Sequence, residues 1–336
     1  MASIKNHAVL DKCDRGFRLW CVSVALHPEF LKLPDSQRYL LAISGGRDSV
    51  ALLHLLLDSG LKNLVLLHVN HALRGGESDA DAALVRQLAE EFDLPCEIEK
   101  VDVAVRMEET GESMELAARN VRHRFFAACA RKRDCPRILL AHHADDQAET
   151  VLFNLLRGSG GLKGMQFFSE HEINGQAVEF FRPMLEVSRV DINDYLTDHQ
   201  IFYHDDKSNT EAVATRNRIR NEAIPLLENV MGREIRPALV RAAAISDSRD
   251  KALQEILAGY QLEDPQGRLF LPEIQKLTPA LQRMAVHGYL KQCAVAEISH
   301  HLLERCLTLL DTESPAKINL PEGRHFRRKE KRLFVV

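Results

Sequence analysis

The stretch LLAISGGRDSVALLHLL (residues 40–56) decides the fold. It runs from an apolar segment through Ser44-Gly45-Gly46 to an Asp48-Ser49 pair, and then into apolar residues at helical spacing. A strand delivered so abruptly into a helix gathers unpaired backbone N–H groups and the positive end of the helix dipole at one point, which favours anions. Glycine leaves room for a phosphate to approach the backbone, and the turn is expected to need positive φ. Asp48 would be unfavourable beside phosphate unless a divalent cation lay between them, and Mg²⁺ prefers carboxylate together with phosphate oxygens. The stretch therefore reads as a magnesium-nucleotide loop. The competing reading is an ordinary turn in which Asp48 and Ser49 only cap the helix. Neither G-x-x-x-x-G-K-[ST] nor a G-x-G-x-x-G after the first strand is present.

Outward from this loop the pattern repeats. Short β-rich apolar runs at 39–44, 64–70, 97–101 and 137–142 alternate with helical spacing at 48–57, 78–92, 112–132 and 145–157. That alternation predicts an α/β fold, a parallel sheet with helices on both faces. A glycine-rich loop follows at 157–165, then a strand stopped by Pro183, and Ser188 with Asp191 resembles a capping box. A long helical stretch is expected over 233–260, acting as a bridge. The remainder predicts a strand, two helices and a terminal strand pair around Pro321-Glu322-Gly323. The expected organisation is an extension at 1–38, a catalytic domain at 39–215, a helical linker at 216–262 and a small α+β domain at 263–336.

Bulk properties narrow the classes. At 336 residues the chain suits two domains, and no apolar run approaches the roughly 18 residues of a bilayer span, so a soluble protein without membrane association is expected. The first thirty residues mix charges into their apolar positions, which predicts a cytoplasmic protein rather than an exported one. Seven cysteines form no C-x-x-C pair and are expected to stay reduced. With a net charge of -4, any nucleic-acid partner must be met by local basic patches.

The loop SGGRDS resembles that of the N-type ATP pyrophosphatases (the PP-loop superfamily). HVNHALRGGESDAD (68–81), ELAARNVRHRFF (115–126), AHHADDQAETVLFNLLRGSGGLKGM (141–165), RPML (182–185) and DDKSNTEAVATRNRIRNEAIPLL (205–227) are similar, in order, to motifs of the tRNA(Ile)-lysidine synthetases. The resemblance covers most of 39–230. It implies ATP and Mg²⁺ as cofactors and free L-lysine and a tRNA(Ile) with a CAU anticodon as partners. ATP would adenylate the C2 oxygen of the wobble cytidine, and the ε-amine of lysine would then displace AMP to give lysidine.

Matching motif to sequence, Ser44, Gly45, Gly46, Arg47, Asp48 and Ser49 should cradle the pyrophosphate, with Asp48 near Mg²⁺ and Arg47 giving only backbone contacts. Catalytic and lysine-handling roles fall on His142, Asp146 and Glu149. Asp145 shares the helical spacing but is equally well read as a dipole complement. A carboxylate is needed because the lysine ammonium must be held and deprotonated before attack. Arg119 and Arg122 match the family motif and are expected near the α-phosphate or the tRNA backbone. His68, Asn70, His71 and Arg74 should line the nucleotide pocket and its entrance, with a packed or merely polar loop histidine as the alternative for His68. Ser208, Asn209, Arg216, Asn217 and Arg220 match a region that closes on substrate, and Arg216 and Arg220, four apart, should share a phosphate-binding face. Arg327 and Arg328 in the basic run 323–332 are expected to meet tRNA, against the alternative of a charged edge strand.

Two departures stand out: the chain resembles the shorter members, with one small C-terminal domain, and an amino-terminal extension of nearly forty residues is unusual for the family. A homodimer is compatible with the sequence. A tRNA thiolase of the same loop class is the nearest rival, followed by an amide-forming synthetase and a non-catalytic tRNA-binding relative.

Overall fold

The computed structural model describes residues 24–72, 76–159, 161–204 and 215–336. Among these, the residues up to His143 and again from Phe167 to His204 form one compact unit, while Ala144–Gln166 and 215–336 form a second. The division cuts across chain order because the helix that follows the fourth strand belongs with later helices. Among the described residues no helix is long and apolar enough to cross a membrane.

In the first unit, strands β1 (Tyr39–Ala42), β2 (Leu64–Asn70), β3 (Cys96–Lys100), β4 (Arg137–Leu139), β5 (Phe168–Ile173) and β6 (Gln176–Phe181) form one sheet in the order β3-β2-β1-β4-β6-β5. All neighbours are parallel except the β5–β6 hairpin. Strand β1 alternates its side chains between two cores: Tyr39 and Leu41 enter one, Leu40 the other. Helices α1 (Arg47–Asp58), α2 (Gly76–Glu91) and α6 (Arg189–Asp198) cover the first face, and α4 (Met114–Arg133) covers the second. A parallel strand buried on both sides must be apolar throughout, which is why β1 and β2 were legible. The strand order reverses between β1 and β4, and such a switch point opens a crevice at the carboxyl ends of the strands.

Local differences from expectation have physical causes. Strand β4 stops at Leu139, so residues 140–143 form a loop rather than the end of a strand. Helix α3 (Val103–Thr110), capped by Asp102 and ended by Gly111 at φ 68°, was unforeseen, and α4 starts afresh at Met114. Strand β5 was missed because it is an edge strand rich in charge, FSEHEI. Its Asn174-Gly175 turn has positive φ at both residues, as a two-residue hairpin prefers. The capping box at Ser188 and Asp191 forms, with both reciprocal bonds. Leu26 and Phe30 join the first core, so residues just before β1 are part of the folded unit.

The second unit holds α5 (Ala144–Leu156), α7 (Thr215–Arg218), a π-helical turn (Ile219–Ala223), α8 (Ile224–Met231) and α9 (Arg236–Ala258). Leu152, Ile219 and Ile224 form a small core that Phe153, Ile235 and Leu239 border. The long helical stretch expected over 233–260 is α9, which starts with Pro237 in its first turn, while α8 before it ends at Gly232, φ 62°. Beyond α9 come β7 (Leu269–Phe270), α10 (Leu271–Gln275), α11 (Pro279–Gln292), α12 (His300–Leu307), β8 (Lys317–Asn319), β9 (His325–Lys329) and β10 (Arg332–Val335). Their sheet is antiparallel, in the order β7-β10-β9-β8. The expected terminal strand pair is present as β8 and β9, with β10 added, around a core of Phe326, Leu333 and Val286.

Candidate active site

The loop after β1 is organised by its own hydroxyls. Ser49 Oγ donates to the Gly46 carbonyl at 2.9 Å and accepts from Ser44 N at 3.1 Å, while Gly46 N donates to Ser44 Oγ at 3.2 Å. Only Gly45 has positive φ, +89°, and a Cβ there would lie 3.4 Å from Asp81 of α2. Gly46, expected to share that conformation, has an ordinary φ of -81° and serves as the N-cap of α1. The loop is latched from outside: His204 N donates to the Gly45 carbonyl at 3.0 Å, and the His204 ring lies 2.7 Å from Asp81 Oδ1.

Asp48, in the first turn of α1, is flanked by a guanidinium and an imidazole. Arg47 Nε donates to Oδ1 at 3.2 Å, and His143 Nε2 lies 3.6 Å from Oδ2. Burial alone would raise this carboxyl, but His143 and Arg47 outweigh it and hold Asp48 at about 2. One third of the Asp48 side chain remains exposed, against 1% of His143. The site thus presents an ionised, accessible oxygen pair at the N-terminus of α1. His143, which the sequence reading does not single out, lies in the loop that follows β4. Arg47, expected to contribute backbone only, engages its guanidinium with Asp48.

Other predicted pocket residues divide. His68 is buried, with Nδ1 2.9 Å from the Ile43 carbonyl, which ties β2 to the end of β1, and burial lowers its pKa. His71 is pushed down to about 4 by burial, then by Arg122 and His68. Asn70 donates to Asp79 at 2.8 Å and accepts from Ala72 N at 2.9 Å, stabilising a turn in which Ala72 has φ 55°. Arg119 and Arg122 are solvent-accessible on α4. Burial and then the charge of Arg119 bring Arg182 to about 10. Like charges held together in this way are relieved by an anion. His142 is half-buried in the loop after β4, and Arg74 and Asn209, like Ser208, lie outside the described residues.

In the second unit, α5 opens with three acids. Arg220 Nη2 donates to Asp146 at 2.9 Å and to Glu149 at 3.1 Å, and its Nε also contacts Glu149. Asp145 pairs instead with Arg236 Nε at 3.0 Å, which in turn is held by Glu228. The spacing of three, not four, therefore selects the carboxylate pair. Arg216 and Arg220, separated by the start of the π-helical turn at Ile219, both reach α5, Arg220 through the carboxylates of Asp146 and Glu149. Arg216 stays exposed and reaches over the Phe153 ring. The glycine loop approaches α5 itself: Gln147 brackets Met165 with bonds to its carbonyl and N–H, and a Cβ on Gly164 would lie 2.6 Å from the Gln147 amide.

A family profile for the PP-loop domain matches residues 24–227, and one for the TilS substrate binding domain matches 269–334. A tRNA(Ile)-lysidine synthase of Chlorobaculum tepidum is 32% identical over 294 residues, covering 84% of this chain and 86% of its own. The chain belongs to the tRNA(Ile)-lysidine synthase family. A bifunctional TilS/HprT protein of Listeria innocua is 32% identical over 304 residues, 86% of this chain but 46% of that protein, so the chain spans less than half of some relatives. The U34-tRNA thiolase NcsA of Methanococcus maripaludis, solved with its [4Fe-4S] cluster, superposes with a TM-score of 0.51 at 19% identity over 66% of this chain and 75% of that one. That likeness concerns the fold alone.

Within this tRNA(Ile)-lysidine synthase family member, the substrate-domain candidates also divide. Arg327 is exposed on β9, but Arg328 is not available as expected. Strand alternation puts Arg328 on the same side as the buried Phe326, where it donates to the carbonyls of Leu309 at 3.0 Å, Thr312 at 2.9 Å, Ser314 at 2.6 Å and Asp311. Lys329 and Lys331 are exposed.

Proposed function

We propose that this chain forms lysidine. The C2 oxygen of the wobble cytidine of a tRNA with a CAU anticodon attacks the α-phosphorus of ATP, and pyrophosphate leaves. The ε-amine of free lysine then attacks C2, the C2–O bond breaks, and AMP departs with that oxygen while the amine gives up its proton. The observation that carries the reading is Asp48, held ionised by His143 and Arg47 beside the Gly45–Gly46 loop.

The loop N–H groups and the dipole of α1 suit the leaving pyrophosphate. Among the described residues, no group of three or more His, Cys, Asp or Glu side chains is placed to hold a metal ion. Asp48 fits Mg²⁺ in the way that ion is commonly bound beside phosphates, through one carboxylate plus nucleotide oxygens and water. When bound, the ion would neutralise charge on the pyrophosphate. Arg119 and Arg122 are assigned to phosphate oxygens, and Asp146 and Glu149 to the lysine ammonium. Burial raises the thiols of Cys96 and Cys306 to about 11 and that of Cys129 to about 12, which keeps them protonated and does not favour sulfur transfer.

Incubating the protein with ATP, Mg²⁺, labelled lysine and tRNA tests the reading. Label should enter only tRNA with a CAU anticodon, with release of AMP and pyrophosphate. Active, folded protein that transfers none would refute it.

A further inference from the structure

Glu149 is buried, its side chain only 7% exposed, and an ionised carboxylate in that position requires a cation. Arg220 supplies it: one guanidinium is shared between Glu149 and Asp146, and its own side chain is 19% exposed. These are the two carboxylates assigned above to the substrate ammonium, and the Arg220 guanidinium already pairs with both. Asp145 is turned to Arg236, which Glu228 also holds, so a second guanidinium is committed elsewhere. The backbone supports a contact that can be released. Arg220 stands in the π-helical turn Ile219–Ala223, between the four-residue α7 and α8, and π turns are uncommon and concentrate at functional positions.

We infer that Arg220 is a specificity-determining residue, an internal counter-cation that holds the Asp146–Glu149 pair until the lysine ammonium displaces it. This rests on the lysine-binding reading of that pair. The consequence is competition. An incoming amine must compensate Glu149 at least as well as the guanidinium does, so a neutral or short side chain that cannot reach the pair leaves Arg220 in place. Once displaced, the guanidinium is free to take an anionic partner, which reconciles its position against acids with the phosphate role its motif suggests.

Equilibrium binding of labelled L-lysine to the full chain tests the inference, comparing wild type with Arg220→Gln and Arg220→Lys. Without the internal cation, Arg220→Gln should bind lysine about tenfold more tightly, and added lysine should raise its melting temperature more than it raises that of wild type. Arg220→Lys restores a competing cation and should return the affinity towards wild type. Equal or weaker lysine binding by a folded Arg220→Gln would overturn the inference. Should that variant fail to fold, a structure of the wild-type protein with lysine decides: Arg220 must be off Glu149, and finding it still paired while lysine is bound would overturn the inference. Failure of the underlying reading looks different, because Asp146→Asn and Glu149→Gln would then leave wild-type lysine affinity unchanged.

Discussion

Asp48 and Glu149 are both acids in the first two turns of a helix that follows a parallel strand, yet their surroundings set them to opposite tasks. Asp48 is one-third exposed and flanked by a histidine and an arginine at the N-terminus of α1. Glu149 is buried and satisfied by one guanidinium that it shares with Asp146. The first can lend its oxygens to an incoming cation without losing its partners. The second must exchange one cation for another. Sequence position alone makes the two acids look alike, and it is burial that separates the metal handling proposed for Asp48 from the amine handling proposed for Glu149.

The contrast can be broken most forcefully at Glu149. Replacing it with Ala leaves Arg220 with one carboxylate in a partly buried place, and removal of one partner from such a pair typically costs about 3–5 kcal/mol. Denaturant unfolding should show that loss; a cost below about 1 kcal/mol would mean that the pair is solvated. In the substrate domain the same logic distinguishes two adjacent arginines. Arg328→Ala, which strips donors from four carbonyls, should destabilise by about 1–3 kcal/mol. Arg327→Ala should leave the unfolding midpoint unchanged while lowering the salt dependence of tRNA binding by about one ion.

Smaller effects sharpen the loop. Gly45→Ala forces a side chain into a left-handed conformation against Asp81, costing about 1–2 kcal/mol with weaker ATP binding, whereas Gly46→Ala, at an ordinary φ, should cost less in stability. Acid titration gives the slightest signal. The folded-state pKa of Asp48 lies below its ordinary 3.8, so the stability it contributes is present above about 4 and is lost as pH falls towards about 2. Asp48→Asn should flatten the stability profile in that window.

Much of this was legible in the sequence, for identifiable reasons. Strands β1 and β2 are nearly continuous apolar runs, and the SGGRDS turn places its glycines and acid by covalent spacing alone. The acids of α5 were legible because helical spacing is regular. Roles that depend on where a regular element stops were not. His143 lies in the loop after a strand that ends at Leu139, Arg220 stands in a π turn, and 123 residues separate Asp81 from His204 in the chain. Arg328 is the exception: alternation with Phe326 already places it on the buried side of β9, and the density of positive charge in that run obscured it.

The division of labour between the two acids is tested most directly by following pyrophosphate release and lysine incorporation in parallel, with tRNA and ATP, for Asp48→Asn and Glu149→Gln. The account predicts that Asp48→Asn loses both by about 10²–10³-fold, while Glu149→Gln keeps tRNA-dependent pyrophosphate release and loses lysine incorporation. Equal loss of both signals in Glu149→Gln, or pyrophosphate release surviving in Asp48→Asn, would contradict it.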